Sequence, residues 1–194
     1  MNPTETESRV GVKIRQIRED YHPSRIGGQI KVLFIGESPP QPKNNKIKFF
    51  YLANSHLFWI TKKAFSMAYN QQWVDNKEFL RFFQSLGCYF DDLCCDPVNH
   101  LNDEKRIQKR EEGIPFLSTR ILDARPAAII TLMRQIEDQV GRAVLGASFV
   151  RIFETLPFPR FRAVRTYKEG LVDILRKLIK EGVLPHSSKA GTGL

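Results

Sequence analysis

The sequence predicts a three-layer α/β/α sandwich built around a central four-stranded, mostly parallel sheet. The chain of 194 residues is long enough for one core. Short apolar runs alternate with longer segments of helical periodicity, and that alternation is typical of strands and helices packed in layers. We expect residues 1–184 to form a single domain. Residues 185–194, which are rich in Ser, Gly and Lys, are expected to form a flexible tail.

Four buried strands are expected because each candidate segment is short, mostly apolar and bounded by turn residues. The first runs directly into Gly36, and Pro126 introduces the third. The four segments are residues 30–35, 88–95, 127–132 and 149–153.

Helices are expected where apolar residues recur every three or four positions. An opening helix covers residues 8–21. Three prolines and two asparagines make residues 37–48 a loop, and Asn54 is expected to cap the helix that follows it. The later helices are residues 77–86, 103–124, the segment through 136–143, and 163–182.

The composition excludes several classes of protein. With 42% hydrophobic and 26% charged residues, the chain is typical of a globular protein. No apolar run approaches the ~18 residues that span a membrane. The first ten residues also lack the basic segment followed by an apolar segment that marks a secretory signal. Three cysteines, Cys88, Cys94 and Cys95, cannot make a paired disulfide framework. We therefore expect a reduced, cytoplasmic protein with access to the nucleoid or nucleus and no membrane partner.

Positive charge is clustered along the chain. The net charge is +9 and the pI is near 9.6. Five lysines and no acidic residue lie between Ser38 and Val74, and residues 160–180 hold seven basic residues against two acidic ones. Such clusters favour a phosphate-rich partner, because each neutralised phosphate releases counterions. Solubility alone is the alternative explanation.

The chemically distinctive residues follow the predicted strands. Ligands of such folds bind outside the carboxyl ends of the strands, where the connecting loops meet. Prolines, acids and aromatics in these loops indicate a nucleobase stacked on a ring while lysine and arginine hold its phosphates. The segments concerned are residues 36–40, 49–51, 91–92, Asn99 and 156–159.

These loops resemble those of the uracil-DNA glycosylase superfamily over roughly residues 30–182. Residues 36–39 (GESP) match its Gly-x-x-Pro loop, closest to the iron–sulfur branch with Gly-Glu-Ala-Pro-Gly. Phe50 lies fourteen residues after the loop glycine, at the position of the phenylalanine that stacks on the flipped base. Asp91 stands where the family has an asparagine, followed at the family spacing by Cys95, Pro97 and Asn99. Residues 156–159 match the last motif by position only.

The sequence also departs from the family pattern. Ser38 replaces the aspartate that activates water in the best-known branch, and Leu156 replaces the histidine that stabilises charge on the departing base. Losing one such donor typically lowers the rate by ~10²–10³. Three cysteines are too few for a four-cysteine cluster, so we expect no iron–sulfur centre, no other cofactor and no metal.

The remaining carboxylates are the candidates for catalysis. Cleavage of a glycosidic bond passes through an oxocarbenium-like state that a carboxylate stabilises. Glu37 is the first candidate, with Ser38 beside it, and whichever of Asp91 and Asp92 faces the cleft is the second. A buried acid beside another acid has a raised pKa and could donate a proton. Because an ionised aspartate only accepts hydrogen bonds, we expect a deaminated or otherwise modified base as substrate, not necessarily uracil.

The predicted function is therefore that of a monomeric DNA glycosylase-like protein, with Gly36, Phe50 and Asn99 contacting the base. The residues expected to bind DNA are Lys43, Lys46, Lys48, Pro157, Phe158, Arg160, Phe161, Arg162 and Arg165. A catalytically silent nucleic-acid-binding module of the same fold is the alternative, and a small-molecule hydrolase is a third possibility. Each residue also has a structural explanation. Glu37 and Ser38 could satisfy backbone donors, and Phe50 could belong to the core.

Overall fold

The structure is a computed structural model that describes residues 9–43 and 46–186. Its centre is a four-stranded sheet in which every neighbouring pair of strands is parallel, which confirms the predicted fold class. The strand order is β2-β1-β3-β4. The strands are β1 (Val32–Gly36), β2 (Cys88–Asp92), β3 (Ala128–Thr131) and β4 (Ile152–Thr155).

The described part of the chain contains six α-helices: α1 (Arg9–Glu19), α2 (His56–Tyr69), α3 (Asn76–Ser85), α4 (Asp103–Ala124), α5 (Glu137–Val144) and α6 (Ala163–Lys180). Helix α2 packs against α6, and α4 packs against α5. The chain reverses direction across the sheet after β2. Because crossover connections between parallel strands are right-handed as a rule, this reversal puts α2 and α3 on the face opposite α4 and α5.

The core consists of the apolar strands and a group of aromatic rings between the sheet and the α2–α3 layer. Residues 32–35 of β1 are almost fully buried, as expected for a strand covered on both faces. The ring of Phe34 stacks on that of Phe90 with 4.7 Å between centroids, and Phe83 stacks on Phe90 at 5.5 Å. These contacts fix β1 and β2 side by side and thereby fix the loops that leave them.

Three local expectations need correction. Ser55, not Asn54, caps α2, and its hydroxyl accepts a hydrogen bond from the Phe58 amide. Asn54 instead closes the preceding loop, since its side chain accepts from the Phe49 amide and donates to the Ile47 carbonyl. Strand β2 ends earlier than predicted, and β4 begins three residues later. The predicted tail lies outside the described residues from residue 187 onward.

Within residues 9–43 and 46–186, no helix combines the length and the apolar character needed to cross a membrane. The same residues contain no cluster of three or more histidine, cysteine, aspartate or glutamate side chains suited to a metal ion.

Candidate functional site

A cavity of about 580 Å³ opens at the carboxyl edge of the sheet, and we call it the edge cavity. The loops that follow all four strands line it, as the parallel arrangement requires. They contribute residues 36–40 after β1, Asn99 after β2, 132–135 after β3, and Pro157, Phe158 and Arg160 after β4. The edge cavity lies near the point where the strand order reverses, between β1 and β3.

The edge cavity brings together most of the residues that the sequence singles out. Those that line it are Gly36, Glu37, Ser38, Lys48, Phe50, Asp91, Asp92, Asn99, Pro157, Phe158 and Arg160. Five others do not contribute to its wall: Lys43, Lys46, Phe161, Arg162 and Arg165. Of these, Lys43 and Lys46 pair with each other through their backbones in the loop after β1.

Glu37 is held by two arginines of α4, Arg106 and Arg110. Its Oε1 accepts hydrogen bonds from Nε of Arg106 at 2.6 Å and from Nε of Arg110 at 2.7 Å. Nη2 of Arg106 pairs with Oε2. Burial alone would raise the pKa of Glu37, but the hydrogen bonds from Arg106 and Arg110 outweigh it and hold the pKa below its ordinary value. Glu37 is therefore an ionised anchor for two guanidinium groups.

Ser38 lines the edge cavity and connects two of the loops. Its hydroxyl accepts a hydrogen bond from the Val98 amide at 3.3 Å and donates to the carbonyl of Pro39 at 3.2 Å. The backbone reinforces this contact, because the amide of Cys94 donates to the carbonyl of Glu37 at 2.9 Å. The β1 loop and the segment after β2 therefore form one wall of the edge cavity.

Asp91 and Asp92 share one arginine but have different surroundings. Arg18 of α1 donates from Nη1 to Oδ1 of Asp91 at 2.8 Å, and its Nη2 pairs with Oδ2 of Asp92. Arg120 of α4 donates to Oδ2 of Asp91 at 2.7 Å, and the Asp92 amide donates to Oδ1 of Asp91 at 2.8 Å. Both oxygens of Asp91 are thus engaged. Oδ1 of Asp92 remains outside the ion pair and lies against Gly36.

The two aspartates differ in pKa as a result. Burial would raise the pKa of Asp91, but Arg120 and Arg18 outweigh it and lower that pKa below its ordinary value. Burial raises the pKa of Asp92, and the charge of Asp91 adds to this effect, while Arg18 offsets it only in part. Of the two aspartates, Asp92 is therefore the one whose pKa is raised, as the sequence predicts for a buried acid beside another acid.

Phe50 and Phe158 both line the edge cavity, but only Phe158 offers an open ring. Phe50 is 3% exposed, and its ring centroid lies 4.0 Å from that of Phe90 and 5.3 Å from that of Phe83. These contacts agree with the core alternative for Phe50. Phe158, on the loop after β4, is 41% exposed. It is the ring against which a planar ligand can stack.

Three cations at the edge cavity, Lys48, Arg134 and Arg160, have no acidic partner within the described residues, and we call them the rim cations. Arg160 does contact a ring, with its guanidinium 5.5 Å from the centroid of Phe161. Phe161 itself is strongly exposed and has a positive φ of 49°. The loop after β4 thus carries charge and aromatic surface beside the cavity mouth.

Sequence reasoning missed the arginines that organise the site. Arg18 lies 73 residues before Asp91, and Arg106 lies 69 residues after Glu37, so no local pattern joins them. One signal was available for α4. Arg106 and Arg110 are four residues apart, which places both on one face of a helix that begins just after the β2 loop.

A second cavity of about 380 Å³ lies between α1 and α4, with Asp91 in its wall. Arg18, Pro39 and Asp91 line both cavities. Leu156 is buried and packs against Gly170 of α6.

A scan against protein-family models and a search of curated proteins return no match for this chain.

Proposed function

We propose that the protein is a DNA N-glycosylase-like hydrolase. In this proposal the edge cavity takes up a base flipped out of DNA, and the protein hydrolyses the bond between that base and its sugar. One observation carries the proposal: a single 580 Å³ cavity combines the raised-pKa carboxylate of Asp92, the open ring of Phe158 and the rim cations. That volume falls within the range of about 300–1,000 Å³ typical of small-molecule sites.

Asp92 is the carboxylate suited to the chemistry. Hydrolysis forms a bond between the oxygen of water and C1′ of the sugar, while the C1′–N electron pair departs with the base. One proton of the water ends on the base and the hydroxyl stays on the sugar. Ionised Asp92 stabilises positive charge on the sugar and accepts the proton of the attacking water in passing. The pKa of Asp92 is raised above the ordinary 3.8. Since Asp92 acts in its ionised form, we expect the rate of excision to fall as the pH is lowered, and to do so at a pH above 3.8.

The substrate class that we propose is a deaminated or otherwise modified base. Asp91 does not read its edge, because both carboxylate oxygens already accept hydrogen bonds from Arg18, Arg120 and the Asp92 amide. Asn99 carries both donors and an acceptor on the wall of the edge cavity, and we assign edge recognition to it. The rim cations hold the flanking phosphates.

A specific observation favours a second candidate, a catalytically silent nucleic-acid-binding module. Glu37 and Ser38, the two residues expected to act from the β1 loop, are both engaged inside the protein. In that case the edge cavity holds a base without cleaving it, and Asp92 serves only as a partner of Arg18.

Incubation with oligonucleotides that carry uracil, hypoxanthine, xanthine or an alkylated base, single- and double-stranded, tests the proposal. Alkaline cleavage reports abasic sites, and fluorescence anisotropy reports binding. We expect excision of at least one base of this panel. Asp92→Asn should reduce excision by ~10²–10³ or more with binding retained. Asp173→Asn, an exposed position on α6, is the matched control and should act like the wild type.

The outcomes separate the two candidates. Tight, salt-dependent binding without excision of any base supports the binding module. Excision that survives Asp92→Asn unchanged contradicts the assignment of Asp92. If neither binding nor excision is observed, both candidates fail.

A further inference from the structure

Two groups of ion pairs lie at the edge cavity, and their charges differ. Arg18 and Arg120 face Asp91 and Asp92, so two positive groups meet two negative ones. Arg106 and Arg110 share the single carboxylate of Glu37. The side chains of Glu37, Arg106 and Arg110 therefore carry +1 together, which the charge of Asp103 on α4 offsets in part. They lie in a partly desolvated position, where a charge acts more strongly than it does in water.

Arg106 is the member of this cluster that presents the charge to the cavity. Its side chain is 27% exposed and lines the edge cavity, whereas that of Arg110 is 11% exposed and does not. Glu37 takes Nε and Nη2 of Arg106, so Nη1 remains outside the pair. A guanidinium fixed along one edge keeps its orientation, and its remaining N–H groups are available for an acceptor.

Helix α4 fixes the backbone position from which the Arg106 side chain extends. The backbone amide of Arg106 donates to the carbonyl of Asn102, whose side chain caps the helix. Further along, Gly113 lets α4 approach the end of β2, because a Cβ there would lie 2.6 Å from the carbonyl oxygen of Leu93. Since the helix and the β1 loop are both fixed, the pair of Arg106 and Glu37 is preorganised before any ligand enters.

We propose that Arg106, positioned by Glu37, forms an anion-binding subsite inside the edge cavity whose ligand is a deprotonated heterocyclic ring. This inference rests on the proposed function for its natural ligand, the base that departs with the electron pair of the broken bond. Arg106 donates to that anion through the nitrogen that Glu37 leaves open. Glu37 is a positioning residue here, since it acts through Arg106.

The subsite can be tested without any turnover. Barbiturate is a pyrimidine ring that is anionic at neutral pH, and uracil is a neutral ring of nearly the same size. Isothermal titration calorimetry of the full chain with each compound measures the preference. We expect the wild type to bind barbiturate more tightly than uracil. Arg106→Gln should weaken barbiturate binding by about 10- to 100-fold and change uracil binding by less than about 2-fold.

Two further variants show whether the effect is specific. Arg106→Lys keeps the charge but loses the planar fork, so its barbiturate affinity should fall between those of the wild type and Arg106→Gln. Arg142→Gln removes an exposed arginine that pairs with Glu111 and Asp138 outside the edge cavity, and it should bind as the wild type does. Circular dichroism confirms that each variant is folded.

The inference is overturned if the wild type does not bind barbiturate, binds uracil equally well, or loses both ligands equally in Arg106→Gln. Failure of the proposed function gives a different result. If no base is excised but barbiturate binding depends on Arg106, the anion subsite is established and hydrolysis is not. If uracil is among the bases excised, single-turnover rates on uracil and 5-fluorouracil substrates test the subsite further, and we expect Arg106→Gln to slow release of uracil, the poorer leaving group, more than that of 5-fluorouracil.

Discussion

Gly36 and Asp92 are paired across β1 and β2, and Oδ1 of Asp92 occupies the space that a Cβ at residue 36 would require. Gly36 does not have a positive φ, so the backbone angle does not require glycine here. Glycine is required because the carboxylate of Asp92 leaves no room for a Cβ. The β1 loop and the catalytic candidate are therefore coupled by direct contact.

Gly36→Ala should displace the Asp92 carboxylate. We expect a loss of about 1–3 kcal/mol in the free energy of unfolding, because the added methyl group overpacks a buried position. The rate of excision should also fall, because the Asp92 carboxylate is displaced. Denaturant unfolding and single-turnover kinetics measure the two effects. Gly141→Ala is the control, since a Cβ there meets nothing within 4 Å and alanine in α5 should stabilise by about 0.5–1 kcal/mol. Unchanged stability and excision in Gly36→Ala would refute the coupling.

Phe158→Ala should weaken DNA binding while leaving the fold intact. Stacking of a base on an aromatic ring contributes about 1–3 kcal/mol, and the ring of Phe158 is already largely open to solvent. Fluorescence anisotropy measures the affinity and thermal unfolding measures the stability. Phe153→Ala, a 38% exposed phenylalanine on β4 that does not line the edge cavity, should bind normally.

Phe50→Ala should destabilise the fold, whereas Phe158→Ala should not. Its ring packs against Phe58, Phe83 and Phe90, so its removal should lower the free energy of unfolding by about 3–5 kcal/mol. Denaturant unfolding measures this loss. If Phe50→Ala remains stable and loses only DNA binding, Phe50 rather than Phe158 is the stacking ring.

The rim cations should determine the salt dependence of DNA binding. Each duplex phosphate that is no longer neutralised should reduce the slope of log Kobs against log salt concentration by about 0.9. Lys48→Gln, Arg134→Gln and Arg160→Gln, alone and combined, can be compared by anisotropy at several salt concentrations. Arg176→Gln, at an exposed position on α6, should keep the slope. Equal slopes for the triple variant and the wild type would show that DNA does not contact this rim.

Glu37 should contribute stability that depends on pH. Its pKa in the folded protein is below the ordinary 4.5, so its contribution is complete above that pH and is lost as the pH falls through the lowered value. Glu37→Gln leaves two guanidinium groups without a carboxylate and should cost about 3 kcal/mol at neutral pH. As the pH is lowered below 4.5, the free energy of unfolding of Glu37→Gln should change less than that of the wild type. Glu78→Gln on α3 controls for the loss of one exposed negative charge. Parallel pH profiles for Glu37→Gln and the wild type would contradict this account.

The sequence contains strong signals for the sheet and the long helices, and weak ones for strand boundaries. The expected helix 103–124 has the bounds of α4, because Asn102 is a good cap and Pro126 limits the far end. Strand β4 was expected at 149–153, but Val150 closes a turn onto Ala147 and pairing with β3 begins at Ile152. Apolar character alone does not determine which residues pair with a neighbouring strand.

The candidate site was predictable only in its outline. Strand ends determine which loops meet, so the sequence points to the edge cavity and to its acids, with Glu37 placed first and the choice between Asp91 and Asp92 left open. The partners of those acids come from α1 and α4, and only the packed fold brings Arg18 and Arg106 to them. The pKa directions of Glu37 and Asp92 depend on these partners, so they could not be derived from residue order.

The most direct test of the account is a crystal structure of Asp92→Asn bound to an oligonucleotide that carries the base selected by the excision and binding assays. We expect that base to lie in the edge cavity, flipped out of the DNA, with its ring against Phe158 and its edge near Asn99 and Arg106. A base that remains stacked in the DNA, with the edge cavity empty or the DNA on another face, would contradict the central claim.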